Sequence, residues 1–373
     1  MSRDGGQERN PAAGAVAPFP AGLELAVLPP RAQLVPLWNR ILDGLGVRAA
    51  TAGLAISLGL VAVLVARDAW LGRLAPTLAD PADLYVSIVE SLLIGYLVAA
   101  RVSVARAARA TLDALGDALS LTPARRASLR EEMGRYFRLR FLAAGLLGAT
   151  LGALAPLLIR GAATQLWSVA EWSPEFEVRR GLAPVIGWMF GTYVLATTRE
   201  AARVSDLAQH LRSVDLFEAE ALRPFSRFGL QVAFRAVGLV SLTTLMITEP
   251  GFGRLVVVLV VIAAGAAAAG LLLPVRGLRD RICAEKRREL LCCHAALRRA
   301  RDALLEERSI ATEAMRLSDV VAYKQLVESI AEWPIDTPTA LRACGCVGLP
   351  ILSWLSGSVA PDAVLRVLGM LVS

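Results

Sequence analysis

The chain has 373 residues, of which 55% are hydrophobic, and its mean hydropathy is +0.53. These values exceed those of an ordinary soluble domain, and the apolar residues come in long uncharged blocks, as is typical of a polytopic membrane protein. The net charge of +7 lies beside these blocks, in segments without interleaved aromatic residues. The sequence therefore predicts a lipid bilayer as the main partner and excludes nucleic acid.

The first 48 residues precede the first apolar block. Residues 1–30 are rich in Pro, Ala and Gly without periodicity, so we expect a disordered tail. Residues 33–45 carry apolar side chains at helical spacing, which predicts an amphipathic helix at the inner interface. No apolar core stands beside a cleavage site, so we expect the first span to act as an uncleaved signal.

Six apolar segments are predicted to cross the bilayer as helices, at residues 49–66, 84–100, 141–159, 182–198, 228–247 and 255–275. The last of them has 21 residues without a charge, and a bilayer core of about 30 Å needs about 20 apolar residues. A seventh candidate covers residues 340–357. The sequence therefore predicts an all-α membrane protein of about seven transmembrane helices.

The distribution of basic residues predicts the orientation of these spans. One set of connections carries 31 Lys and Arg residues and the alternating set carries 6, which places the N-terminus in the cytoplasm and the C-terminus outside. Six of the seven tryptophans fall near a predicted interface, as expected for an aromatic belt. Arginine supplies 38 of the 40 basic residues, a bias that favours a GC-rich bacterium and its inner membrane.

The cytoplasmic connections have helical patterns of their own. We expect hairpins at 101–140 and 199–227 within a membrane domain at 49–275, and an arm at 276–336. Thr122-Pro123 is typical of a helix start, and that helix is predicted to run into the third span. Leu207 and Leu211 follow helical spacing, with Arg203 and Arg212 on the exposed side.

Two interpretations of these apolar stripes stay open: they pack together as one cytoplasmic bundle, or they bind separate partners. In the arm, Leu290, Cys293 and Leu297 keep a seven-residue spacing for about two heptads, too short for an assigned coiled coil.

The segment 337–373 is predicted to turn the chain back into the membrane. Trp333, Pro334, Asp336 and Pro338 end one helix and begin the next, and Pro350 lies inside the seventh candidate span. We expect these residues to form a hinge into the last span.

Glu90 and Arg235 are the charged residues that lie well inside predicted spans. Buried charge in lipid is costly unless it is paired or wet, so we expect the two side chains to meet. Two roles stay open for this pair: a pore or gate, or a structural contact that fixes the register of two helices.

Small residues recur at four-residue spacing in Gly148-x-x-x-Gly152, Gly187-x-x-x-Gly191 and Ala266-x-x-x-Gly270. Such patterns let helices approach closely, and we expect packing within the chain rather than a dimer seam.

Nothing in the sequence predicts an enzyme. The motifs of zinc proteases, α/β-hydrolases, P-loop proteins and dinucleotide-binding proteins are absent. Cys292-Cys293-His294 is a poor metal site, because adjacent helical residues point about 100° apart. The five cysteines lack paired spacing, so we expect no disulfide, and no cofactor or metal is predicted.

Three functions stay open. The first is an oligomeric ion channel or pore, with a homo-oligomer as the assembly. The second is a membrane-anchored scaffold or signalling component with a cytoplasmic protein partner, and the third, least favoured, is a secondary transporter or intramembrane enzyme. The plan of spans resembles that of insect chemosensory receptor channels in topology alone, since the seventh span lacks their Thr-Tyr and Gln-Phe signature.

Overall fold

In the computed structural model the described residues are 33–72, 81–160, 174–212, 222–245, 252–305 and 310–330. They form the helices α1 (Leu37–Gly44), α2 (Ala49–Trp70), α3 (Pro81–Leu115), α4 (Pro123–Glu132), α5 (Arg138–Arg160), α6 (Pro174–Leu207), α7 (Arg223–Thr244), α8 (Phe252–Leu305) and α9 (Ile310–Ser329). The predicted hinge (Trp333, Pro334, Asp336, Pro338 and Pro350) and the seventh span lie outside the described residues.

Helix α3 contacts α2, α6 and α7, and α6 in turn contacts α5 and α8. Within the described residues, three helices are long and apolar enough to cross a membrane: α2, α3 from Tyr85, and α6 from Gly181. The apolar window of α3 is 72% buried by protein, against 17% in α2 and 22% in α6. The helical architecture is therefore confirmed, three helices suit a membrane by length and composition, and α3 is the most buried of the three.

The glycine motifs of α5 and α6 face each other. A Cβ atom added at Gly148 would meet the carbonyl oxygen of Gly187, and one added at Gly187 would meet that of Gly148. Gly152 and Gly191 approach backbone of the opposite helix in the same way. Absence of Cβ atoms is what lets the two backbones touch, so the prediction of close packing within the chain is confirmed.

The connection between α3 and α5 begins as predicted and then departs from the prediction. The Thr122 hydroxyl accepts a hydrogen bond from the Arg125 N–H at 3.3 Å, with Pro123 at the first helical position. However, α4 ends at Glu132 and does not run into the third span, because Gly134 adopts a φ of 86°. This left-handed conformation suits glycine and turns the chain before α5 begins.

Two short strands form a pairing that the sequence did not predict. β1 (Gln33–Leu34) pairs antiparallel with β2 (Tyr136–Phe137), so the chain just before α1 is hydrogen-bonded to the chain just before α5. Residues 33–48 are thus part of the packed fold rather than a separate segment.

Helix α1 has two faces with different surroundings. Leu42 is buried against α3, whereas Leu37 and Leu45 are exposed, in accord with an amphipathic helix. Asp43 accepts hydrogen bonds from Arg106 at 3.1 Å and Arg109 at 2.9 Å. Burial raises the pKa of the Asp43 carboxyl, but these two arginines outweigh that effect and lower its pKa overall.

The apolar stripes of the helical extensions pack together. One buried cluster joins the ends of these helices. It contains Leu115 at the end of α3, Leu207 at the end of α6, Leu211 just after it, and Leu278 and Ile282 in α8. An isolated bridge between Leu119 and Leu211 joins the segments that follow α3 and α6. The first of the two interpretations, one bundle, therefore describes these extensions.

Helix α8 runs without interruption through 54 residues and pairs with α9 as a hairpin. The Lys286 ammonium donates to the backbone carbonyls of Glu328 and Ile330, both at 2.9 Å. A cation at the C-terminal end of a helix is favoured by the exposed carbonyls there, so Lys286 fixes α9 along α8. Of the predicted arm at 276–336, the structure describes residues 276–305 and 310–330.

Candidate functional site

The structure does not bring the predicted pair together. Glu90 is buried on α3, and the Arg235 guanidinium donates to the backbone carbonyl of Ser103 at 3.4 Å. Ser103 lies 13 residues after Glu90 on α3, or about 20 Å along the axis at 1.5 Å per residue. Counting residues along each span predicted similar depths for Glu90 and Arg235 in the membrane. The long side chain of Arg235 instead extends away from Glu90, towards the end of the span.

Arg235 instead lies at one side of a groove between α2, α3 and α7. The groove has a volume of about 390 Å³ and an almost entirely apolar lining that includes Gly53, Leu54, Tyr96 and Leu242. The Tyr96 hydroxyl donates to the backbone carbonyl of Arg235 at 2.5 Å, which ties α3 to α7 at this level. One guanidinium nitrogen, Nη1, is buried without a hydrogen bond.

A second polar centre lies where α6 passes the turn after α4. The Glu200 side chain has no exposed surface, and its Oε1 accepts hydrogen bonds from the Gly134 N–H at 3.0 Å and from Arg203 at 2.6 Å. Arg203 also donates to the Arg135 carbonyl at 2.8 Å. The prediction that Arg203 lies on the exposed side of its helix is wrong, because Arg203 binds this buried carboxylate. The same prediction for Arg212 is confirmed, since Arg212 is exposed.

Tyr136 completes this centre from β2. Its ring is buried and stacks on Phe141 with a centroid distance of 5.9 Å. Burial, and after it the negative charge of Glu200, raises the pKa of the Tyr136 phenol well above its ordinary value. The phenol therefore stays neutral beside the carboxylate, and we refer to Glu200, Arg203, Gly134 and Tyr136 as the Glu200 centre.

Arg109 connects the Glu200 centre to α1. It donates to the carbonyl of Met133 at 2.9 Å and also binds Asp43. Since Gly134 follows Met133 directly, a continuous chain of polar contacts runs from α1 across α3 to α6. The arrangement fixes the positions of these charges and of the turn at Gly134.

Two arginines converge on the ring of Phe137 in β2. The guanidinium carbon of Arg199 lies 4.9 Å from the ring centroid and that of Arg140 lies 5.4 Å from it. Cation–π contacts of this kind hold a guanidinium in one orientation. The positive charges of Arg140, at the start of α5, and of Arg199, beside the Glu200 centre, therefore lie close together.

The cysteines of the arm do not form a metal site within the described residues. Cys283, Cys292 and Cys293 are free thiols, and the part of the chain that the structure describes holds no cluster of three His, Cys, Asp or Glu side chains suited to a metal ion. Cys344 and Cys346 lie outside that part.

Sequence reasoning missed the Glu200 centre because charged residues that directly follow a span usually face water. Two signals were present. Glu200 and Arg203 have the i, i+3 spacing of a helical ion pair, and Tyr136-Phe137 precedes the Arg-x-Arg that opens α5. Charged groups next to an aromatic pair at a membrane border are candidates for a buried cluster.

Comparisons of this chain with protein-family models, with curated proteins and with solved structures give no match.

Proposed function

We propose that this chain is a bacterial inner-membrane protein that works as a membrane-anchored scaffold or signalling component through its arm. One observation carries the proposal: a single helix, α8, joins the apolar segment 255–275 to the charged arm without a break. On that arm the apolar side chains of Leu291 and Leu326 are 70% and 52% exposed. Contacts with another protein are marked by contiguous apolar patches, and we place such a contact at these two leucines.

The proposed topology has six spans, a seventh at residues 340–357, and a cytoplasmic N-terminus. The split of 31 to 6 basic residues supports it, together with the three apolar helices α2, α3 and α6. Under this topology the Glu200 centre and the arm lie on the cytoplasmic side.

Reporter fusions test this topology. Fusions at residues 115, 215 and 300 are expected to report the cytoplasm, and fusions at 75, 170 and 251 the opposite side, because basic connections are retained inside. The measurement is the ratio of alkaline phosphatase to fluorescent-protein activity for each fusion. An outside signal at residue 300 contradicts the proposed topology and removes the arm from the cytoplasm.

A pore is the second candidate. Glu90 and Arg235 favour it, since ionisable side chains in a span often mark an ion path. Against a pore within one chain, the space between α3, α6 and α7 is filled by buried side chains such as Leu97, Tyr193 and Leu239. A conducting path therefore requires an assembly of several chains. A pore would use the membrane helices for its contacts between chains, whereas a scaffold would use the arm to contact its partner.

Site-specific photo-crosslinking separates these surfaces. A photoreactive residue at Leu291 or Leu326 is expected to give one discrete protein product in native membranes, because the arm makes the working contact. The control is Leu58 on α2, which is equally apolar and 60% exposed but lies in a predicted span, where we expect lipid adducts only.

The opposite pattern contradicts the scaffold. Self-crosslinks at Leu58, no product at either arm position, and ion flux in liposomes that changes with Glu90→Gln would together support the oligomeric pore. The products are identified by their mass on gels and by mass spectrometry.

A further inference from the structure

The groove bordered by Arg235 runs over α3 between α2 and α7. It follows α2 from Ala49 to Ser57, or about 12 Å at 1.5 Å per residue. It follows α3 from Leu92 to Ser103, or about 16 Å on the same arithmetic. Small side chains on both helices leave the space that forms the groove. These are Ala49, Ala50, Gly53, Ala99 and Ala100.

The hydroxyl groups that line the groove are already hydrogen-bonded to the backbone. Ser57 and Ser103 each donate to a carbonyl of their own helix, and Tyr96 donates to the carbonyl of Arg235. A guanidinium has five N–H donors, and in Arg235 one nitrogen donates to the carbonyl of Ser103 while Nη1 has no acceptor. Of the polar side chains in the lining, Arg235 is therefore the one with donors left for a ligand.

The charge of Arg235 has no counter-charge among the described residues. It forms no ion pair there, and the titratable groups that act on it are the phenols of Tyr96 and Tyr193, which are uncharged at neutral pH. Glu90 lies about 20 Å from Ser103 along α3. An unpaired cation among apolar side chains is costly, so an anion is favoured at this end of the groove.

The charged end of the groove coincides with the border of the predicted spans. The guanidinium bonds to the carbonyl of Ser103, three residues beyond the predicted span at 84–100, and Ala49 begins the predicted first span. The rest of the groove extends into those spans, and Leu54 on its rim is 55% exposed. An occupant that fits has a negative group at the border and an apolar chain directed inwards.

We propose that this groove binds an anionic phospholipid, with its phosphate at Arg235 and one acyl chain along α2 and α3. Guanidinium groups form charge-assisted hydrogen bonds to phosphate oxygens, and the apolar lining suits a hydrocarbon chain. A phospholipid carries its phosphate at the border of the bilayer, which is the depth of this guanidinium. The assignment to the inner leaflet rests on the proposed topology, whereas the binding itself holds for a scaffold and for a pore.

The experiment measures the thermal unfolding midpoint of the purified full-length protein in detergent. Phosphatidylglycerol is compared with zwitterionic phosphatidylcholine of the same acyl chains. A ligand that binds the folded state raises the midpoint, so phosphatidylglycerol is expected to raise it a few degrees more than phosphatidylcholine does. The reporter fusions test the topology separately, so a failure of the topology is distinguished from a failure of lipid binding.

Two variants test the two parts of the site. Arg235→Gln is expected to abolish the difference between the two lipids, because the amide carries no charge. Ala50→Phe is expected to weaken the response to both lipids at least tenfold in lipid concentration, because the ring fills the groove. Ala50 is exposed, so this variant is expected to fold even if Arg235→Gln does not.

Each variant has a matched control. Arg227 is exposed on α7 and Ala55 is exposed on α2, and neither lines the groove. Arg227→Gln removes the same charge as Arg235→Gln, and Ala55→Phe adds the same ring as Ala50→Phe. Both controls are expected to respond to the two lipids as the unmodified protein does.

A photoreactive residue at Leu54 identifies the occupant in native membranes. The expected product is an adduct with phosphatidylglycerol, found by mass spectrometry. A crosslink to residues 340–357 of the same chain, or to a second copy, overturns the proposal because protein then fills the groove.

The unfolding measurements can also overturn the proposal. An equal response of the unmodified protein to the two lipids removes the anion from the site. An equal loss in Arg227→Gln indicates a general effect of surface charge. A loss in Ala55→Phe as large as that in Ala50→Phe shows that the groove is not where the lipid binds.

Discussion

Replacing Glu200 by alanine is expected to lower the free energy of unfolding by about 3 kcal/mol. The substitution leaves the Arg203 guanidinium and the Gly134 N–H without their acceptor in a site where the Glu200 side chain has no exposed surface. Removing one member of a buried pair costs more than the pair itself contributes, because the remaining charge stays desolvated. Chemical or thermal unfolding in detergent measures the loss.

Two further variants identify the cause. Glu200→Gln is expected to cost less than the alanine variant, because the amide oxygen still accepts from Gly134. The double substitution Glu200→Gln and Arg203→Gln is expected to cost less than the sum of its single substitutions. Strictly additive losses mean that the two side chains contribute separately and contradict the described pair.

Glu131 supplies the matched control. It pairs with Arg135 at 3.4 Å on the surface of the same region, with most of its side chain exposed. Exposed ion pairs contribute about 0–1 kcal/mol, so Glu131→Gln is expected to be nearly neutral. A loss as large as that of Glu200→Ala shows that net charge, rather than burial, governs stability here.

Replacing Gly187 by alanine is the second substitution with a large expected effect, a loss of about 1–3 kcal/mol. The new methyl group meets the backbone carbonyl of Gly148, and a backbone atom has no flexible end that can move aside. Helices α5 and α6 must therefore separate along their whole contact. A larger residue such as leucine is expected to cost more than alanine.

Gly181→Ala is the control on the same helix. A Cβ atom there meets nothing within 4 Å, so alanine is expected to be neutral or stabilising through its better helix propensity. The midpoint of thermal unfolding in detergent is compared for the two variants. If Gly187→Ala is as stable as Gly181→Ala, the close approach of α5 and α6 is wrong.

Periodicity and local chemistry predicted the features that depend on neighbours in the chain. The buried positions of Leu207 and Leu211 follow from helical spacing, and the start of α4 follows from Thr122-Pro123. The facing glycines of α5 and α6 were also predictable, because small residues at four-residue spacing have a known geometric consequence.

Features that depend on the direction of a side chain or on distant residues were not predictable. Depth along a span does not say which way Arg235 extends, so the pair with Glu90 was predicted and is not formed. Two-residue strands have no periodicity, and nothing near Gln33 indicates its partner Phe137. Arg203 was expected to face solvent, because its acceptor Glu200 is buried only through contact with the turn at Gly134. That turn lies far away in the chain.

Because α8 is one helix of 54 residues, a small bend near its middle would move its far end over a large distance. Pro274 lies inside it and leaves the carbonyl four residues earlier, that of Gly270, without its usual donor, which makes this point the natural place for bending. Gly270 packs closely on Val232 of α7, so the bend has a fixed support. From Pro274 to Leu305 the helix is about 46 Å long at 1.5 Å per residue. A tilt of roughly 10° at the bend would displace the far end of the arm by roughly 8 Å, so a small shift of the packed helices would produce a much larger movement of the arm.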